Sequence, residues 1–220
     1  MLIAGVDEAR RGCIIGPLVI AGVMTKEESI PVLKRLGVKD SKLLTPKKRE
    51  TLAVEITRIA QKHVTIKLMP YEIDRAVASG RKLHKLNRLE AETMAQIISV
   101  LQPDEAYVDA ADVVEERFKH HIQECLRIKI RITAKHKADK IYPIVSAASI
   151  IAKVERDREI VALSQKYGDF GSGYLTDPKT MNFLKQWLKT NGEYPDCVRK
   201  SYKPAVKAKN ERGTEQKTLT

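Results

Sequence analysis

The sequence predicts an α/β fold: a mixed sheet flanked by helices, followed by a helical C-terminal region. Three observations carry this. Short runs rich in β-branched residues alternate with longer runs of helical periodicity through most of the chain, which is the pattern of strands and helices layered on one sheet. From "SAASIIAKVERDREIVALSQKYG" to "NFLKQWLKTNG" the pattern is helical. The length, 220 residues, suits one domain with an appendage or two small domains, and can bury a substantial core.

In chain order, "LIAGVDEA" and "GPLVIAGVMT" read as two antiparallel strands, with the charged stretch around Arg11 and Gly12 between them. "KEESIPVLKRLGV" is a short helical pattern closed by Gly37. "TPKKRETLAVEITRIAQKH" is a strong helix: Thr45 can cap it, Pro46 occupies the first turn, and Leu52, Ile56, Ile59 and Ala60 share a face. "VTIKLMP" alternates as a strand does and stops at Pro70, and "LNRLEAETMAQIISVL" is a second long amphipathic helix. "EAYVDA" and "IKIRITA" then supply two more short strands. The last stretch, "VKAKNERGTEQKTLT", is polar and aperiodic, so a disordered tail is expected there. There is no internal repeat.

Composition narrows the partners. Lys and Arg total 40 against 28 Asp and Glu, a formal charge of +12 and a pI near 9.6, which suits a polyanion such as nucleic acid. Cys13, Cys125 and Cys197 lie far apart without a C-x-x-C pairing, so they read as reduced thiols of an intracellular protein and not as a disulfide frame or zinc site. Asp7, Glu8, Arg10 and Arg11 interrupt the apolar N-terminus before a signal-peptide core could form. No stretch approaches the roughly 18 apolar residues of a membrane helix. A cytoplasmic protein is expected.

The acids suggest the chemistry. Asp7 and Glu8 follow directly on an apolar strand, Asp109 ends "AYV", and Asp139 lies in "AKHKADKIYP". Acids at the ends of buried strands can converge in one crevice, although any one of them alone could equally cap a helix or form a surface ion pair. Two carboxylates 4 Å apart repel by roughly 4 kcal/mol at an effective dielectric of 20. A cluster must therefore raise its pKa values or bind cations. Carboxylates without His or Cys suit Mg²⁺ or Mn²⁺, and two such ions on a phosphodiester stabilise both the attacking and the leaving oxygen. A basic chain with such a cluster is a candidate metal-dependent nuclease.

Five ordered blocks, "GVDEARRGCIIGPLVIA", "GVKDSKLLT", "AYVDAADV", "AKHKADKIYPIVSAASIIAKVERDR" and "GSGYLTDPKT", together resemble type 2 ribonuclease H (RNase HII) in its archaeal form. The resemblance runs from Gly5 to about Lys203. It implies an RNase H-like catalytic domain over residues 1–155, a helical region over 156–204 packed on it and completing the substrate site, and a tail over 205–220. It implies a monomer that cleaves RNA in RNA–DNA hybrids, and duplex DNA on the 5′ side of embedded ribonucleotides, leaving 5′-phosphate and 3′-hydroxyl ends. The family's four metal-binding acids fall on Asp7, Glu8, Asp109 and Asp139, with two divalent ions, Mg²⁺ or Mn²⁺, in the working complex. Asp112 reads as a structural or capping acid.

The resemblance also implies substrate contacts. The family's glycine–arginine–glycine loop, which feels the ribonucleotide 2′-OH, corresponds to Arg10, Arg11 and Gly12, so an arginine replaces the first glycine. Glycine permits close approach and positive φ; an arginine there must turn its side chain away, and Arg10→Gly is expected to raise cleavage at a single embedded ribonucleotide. Tyr174 matches a tyrosine that packs against a sugar, and Lys42 matches a phosphate-contacting lysine whose usual neighbour is Leu43 here. Ser146 is a further candidate phosphate contact, beside Ser149, at a helix start. His136 reads as a surface or packing residue, and the pair His120–His121 as solvated helix surface. "QKTLT", Gln216 to Thr220, resembles the start of a sliding-clamp-binding motif without its aromatic anchors. Two rival classes stand beside the nuclease: a hybrid-binding protein with impaired cleavage or altered junction specificity because of Arg10, and a transposase-like two-metal enzyme. The complete acid set argues against the first, and the "GSGY" and "SAASIIAK" blocks against the second.

Overall fold

The computed structural model describes residues 1–38, 44–79, 85–207 and 209. The chain divides into two units. The first comprises Met1–Arg10, Val19–Lys67 and Arg81–Asp157; the second comprises Arg11–Leu18, Leu68–Gly80 and Arg158–Thr220. Two short early segments thus belong with the C-terminal unit, which a reading by chain order alone does not suggest.

The first unit is built on a five-stranded sheet in the order β3-β2-β1-β4-β5, with β1 Leu2–Ala9, β2 Leu18–Lys26, β3 Lys62–Leu68, β4 Glu105–Asp109 and β5 Arg131–Lys135. β1 pairs antiparallel with β2 and parallel with β4, and β4 runs parallel to β5, so the sheet is mixed as expected. The central strands are buried along almost their whole length, which is why they read as continuous apolar runs and not as alternation. Strand side chains alternate between faces. Ile3 and Ala9 of β1, with Val19, Ala21 and Val23 of β2, pack against α1 (Ile30–Arg35), α2 (Pro46–Ile59) and the first part of α7 (Pro143–Tyr167). Gly5 lies on that face, and a Cβ there would be driven into the main chain of Ile144 and Val145. On the opposite face a Cβ at Gly22 would collide with Ile97 and Leu101 of α4 (Lys85–Leu101).

Where the elements differ from expectation, the reasons are local. Pro70, which ends the β3 pattern, opens α3 (Pro70–Ala78), because proline's missing N–H is harmless in a first turn. Of "IKIRITA" only the part from Arg131 pairs with β4. α5 (Glu115–Cys125) follows the Asp112 turn, and the four-residue α6 (Ala138–Ile141) precedes α7, which starts at Pro143, ahead of "SAAS". In the second unit, Ile14, Ile15, Phe170, Leu184, Leu188, Tyr194 and Val198 form a core of their own. Cys13 bridges to Tyr174 and Ile15 to Val198. α8 (Pro178–Asn191) is capped by the Asp177 side chain, which accepts from the Lys179 N–H. Among the described residues no helix is long and apolar enough to cross a membrane.

Candidate active site

The ladder register brings the first acids together. Val6 of β1 partners Val108 of β4 in the parallel pair, and one residue further along each strand stands an aspartate, Asp7 and Asp109. Asp7, Glu8 and Asp109 each offer a carboxylate oxygen, all within 4.8 Å of one another. Asp7 is buried, on the face covered by α7, and its Oδ1 accepts the Glu8 N–H at 2.7 Å. Burial raises the Asp7 carboxyl well above the ordinary aspartate range; the charges of Glu8 and then Asp109 push it further, while Lys153 and a hydrogen bond with Ser149 oppose them. Three hard oxygen donors in a desolvated setting that disfavours their joint ionisation fit a divalent cation such as Mg²⁺ or Mn²⁺.

Asp139 is buried and stands outside that group of three. Its segment is nonetheless tied to it: Asp109 Oδ1 accepts the N–H of Ala138, the residue before Asp139, at 2.8 Å. The Ser146 hydroxyl donates to the Asp139 carbonyl. Ser146 is therefore buried and engaged with the main chain, not presented to a phosphate at the surface. Sequence reasoning missed Lys153, whose Nζ donates to Ser149 Oγ one helical turn away. The signal was the i, i+4 spacing in "SIIAK", which puts both on one face of α7.

Asp112 is the structural acid the sequence suggests. It accepts from Arg117 through both oxygens, from Asn87 Nδ2 at 2.9 Å and from the Val114 N–H at 2.9 Å. The Arg117 hydrogen bonds hold its carboxyl far below the usual carboxylate range. His136 packs through Nε2 on the Asp112 carbonyl at 2.7 Å. His120 is exposed beside Glu124, as expected of helix surface, but His121 is not: it is half-buried, and burial lowers its pKa.

Arg10 adopts a left-handed backbone, φ 71°. Its guanidinium lies 3.9 Å from Asp157, which Arg49 engages more closely at 2.7 Å and Arg156 at 3.5 Å. The conformation that favours glycine is thus kept, and the side chain is drawn to an acid of α7. Gly12 differs: it is exposed, its φ is not positive, and a Cβ there would meet nothing within 4 Å. Tyr174 is half-buried in a loop fastened by Asp177, which accepts from the Ser172 N–H and hydroxyl, both at 2.7 Å. Those bonds hold the Asp177 carboxyl down at about 2. Lys42 and Gln216 to Thr220 lie outside the described residues.

Comparison with known proteins agrees along the whole chain. The family model described as Ribonuclease HII matches residues 4–205. The ribonuclease HII of Thermococcus kodakarensis is 46% identical over 226 residues, covering 100% of this chain and 96% of that protein. The crystal structure of the ribonuclease H2 from Pyrococcus horikoshii superimposes with a TM-score of 0.88 at 46% identity, over 96% of this chain and 98% of that one. The ribonuclease HII in the PCNA complex from Archaeoglobus fulgidus superimposes with a TM-score of 0.83 at 46% identity, over 92% and 96% of the two chains.

Proposed function

The chain belongs to the ribonuclease HII family, and on that footing we propose that it cuts duplex DNA on the 5′ side of embedded ribonucleotides as well as RNA in RNA–DNA hybrids, at Asp7, Glu8, Asp109 and Asp139. Membership makes it a metal-dependent endonuclease of the ribonuclease H type. The observation that carries the site is the convergence of three acids within 4.8 Å at the ends of paired strands.

Asp7, Glu8 and Asp109 hold divalent metal, with Asp139 as the fourth ligand that the family resemblance implies. Two Mg²⁺ or Mn²⁺ ions held by these acids would supply Lewis-acid activation of water and charge stabilisation of the departing 3′ oxygen. The chain's own groups prepare that site. Lys153 and Ser149 favour the ionised form of Asp7, and Ser146 steadies the Asp139 segment through its carbonyl. The open space at Gly12 suits the approach of a sugar edge to the main chain, where the 2′-OH distinguishes RNA from DNA. Arg11 and Gly12 therefore read the ribose, and Tyr174 offers a ring for the neighbouring sugar. Arg10, drawn to Asp157, leaves that path clear, and Lys42 adds a phosphate contact. The intact acid cluster favours cleavage over a binding-only role.

The protein works as a monomer in the cytoplasm, where its three free thiols stay reduced. Gln216 to Thr220 engage a sliding clamp, a reading that the likeness to a relative solved in complex with PCNA supports.

One experiment tests the reading. The protein is incubated with Mg²⁺ or Mn²⁺ and either a duplex DNA carrying one ribonucleotide or a continuous RNA–DNA hybrid. Cleavage of both, with 5′-phosphate ends and a cut 5′ to the ribonucleotide, is expected; folded protein that cuts neither overturns it.

A further inference from the structure

Arg199 is the bulkiest of the fully buried side chains among the described residues. A guanidinium is always charged and carries five donors, so burying it is costly unless those donors are met. Two of its side-chain bonds go to one short segment. Nε donates to the Gly16 carbonyl at 3.1 Å and Nη1 to the Arg11 carbonyl at 2.7 Å. Nη1 also donates to the Tyr202 hydroxyl at 2.7 Å, and that hydroxyl donates in turn to the Arg11 carbonyl at 2.7 Å. The main chain reinforces the grip: the Arg199 N–H donates to the Ile14 carbonyl at 2.9 Å, and the Gly16 N–H donates to the Cys197 carbonyl at 2.8 Å. On its other side the segment is bound to the tyrosine loop, because the Ile14 N–H donates to the Gly173 carbonyl at 2.9 Å.

The consequence follows from peptide planarity. The Arg11 C=O and the Gly12 N–H belong to one trans peptide unit and point in opposite directions. Two donors on the Arg11 carbonyl therefore fix the direction of the Gly12 N–H. Gly12 is the exposed residue with open space at its Cβ position.

We propose that Arg199 and Tyr202 are positioning residues for ribose recognition, acting through the Arg11 carbonyl to aim the Gly12 N–H at the 2′ oxygen. This rests on the reading of Arg11 and Gly12 as the ribose-sensing loop. Both side chains remain off the substrate, and Tyr202 relays a hydrogen-bond chain that the charge of Arg199 polarises.

The test is a binding ratio, measured without divalent ion so that nothing is cut. Affinities are compared for a duplex bearing one ribonucleotide and for the same duplex made wholly of DNA. Tyr202→Phe, the mild variant, is expected to keep its melting temperature within a few degrees and to lower the ratio about fivefold, the size of one hydrogen bond. Arg199→Lys keeps the charge but cannot fork onto two carbonyls, and should lower the ratio further. A role confined to folding would instead weaken both duplexes alike along with the melting temperature, and that result overturns the proposal, as does an unchanged ratio in Tyr202→Phe. Gly12→Ala separates the two readings. If it leaves the ratio unchanged, the ribose-sensing loop is wrong and the proposal goes with it; if it lowers the ratio while Tyr202→Phe does not, only the positioning role fails.

Discussion

In the first unit the groups proposed to react are charged side chains at the ends of two paired strands; in the second, those proposed to recognise the sugar are main-chain atoms and a half-buried ring, on segments held by hydrogen bonds that Arg199 and Tyr202 donate and Asp177 accepts. The first arrangement is strained electrostatically, since burial and its acidic neighbours both push Asp7 toward the neutral form. It is held by sheet register and by the close approach of α7 at Gly5. The second puts its demands chiefly on where the main chain runs, with the open space at Gly12 kept free of a side chain. The chemistry of one region depends on which side chains are present, and the recognition of the other on where the backbone runs.

The largest effect should come from the first region. On the proposed reading Asp7→Asn removes a central ligand, whereas even residues that merely support ligands cost 10- to 100-fold. A fall in turnover of more than about 100-fold is expected, with binding of the hybrid largely kept because Lys and Arg carry it. Steady-state rates and a salt-dependent binding titration check this; turnover within tenfold of wild type would remove Asp7 from the metal site. Gly5→Ala comes next. Its Cβ has no flexible neighbour to displace, only the main chain of Ile144 and Val145, so overpacking should cost about 3 kcal/mol. Ser149 and Lys153 lie on the helix that must move. Thermal melts and rates should fall together, and a normal melt would show that the helix can shift freely.

A third prediction concerns pH. Asp112 is held below the usual range chiefly by Arg117, then by the Val114 N–H and Asn87. A depressed folded pKa contributes stability that is present above the unfolded value and lost as pH falls through the folded one. Asp112→Asn should therefore cost on the order of 2 kcal/mol of stability for its charged hydrogen bonds, seen as a lowered melting temperature whose shift is constant above about pH 5. Because an unfolded aspartate titrates near pH 3.9, the gap between variant and wild type should narrow below roughly pH 4. A gap that widens in acid contradicts the sign.

How much of this could be read in advance follows the same division. Acids at strand ends are visible in sequence because strands announce themselves, and although one such acid could as well cap a helix or pair at the surface, their recurrence after "LIAGV" and "AYV" points to a site. Their approach needed the parallel register of β1 with β4, which no local pattern carries. Lys153 stayed hidden because a lysine in a long charged helix looks solvated until its neighbours are known. Arg199 was harder still: nothing local in "CVRKSYKP" marks a buried charge, and only the pairing of residues 13–16 with residues 173–199 shows it. The membership of Arg11–Leu18 in the C-terminal unit belongs to the same class of long-range fact.

The smallest expected effect is at the joint of the comparison, Arg10, the last residue of the first unit's opening segment. A side chain in the left-handed region costs roughly 1–2 kcal/mol, which glycine would relieve. Against this, Arg10→Gly gives up an ion pair at 3.9 Å between groups each 30% exposed. Pairs so placed contribute about 0–1 kcal/mol, and Asp157 keeps Arg49 at 2.7 Å. The balance is a gain of about 0–2 kcal/mol, brought down to about 1 kcal/mol at most by the roughly 0.5–1 kcal/mol of extra backbone entropy that glycine loses on folding. Because the arginine already holds the backbone a glycine would adopt and sends its side chain to Asp157, cleavage at a single ribonucleotide should rise only about two- to threefold. Melting temperature and kcat/KM on the single-ribonucleotide duplex decide it. A rise of tenfold or more would mean that the guanidinium leaves Asp157 and obstructs the sugar. A fall, paired with a shallower salt dependence of binding, would mean that it leaves Asp157 for a phosphate, and Arg10 would then be a gained contact in place of a tolerated one.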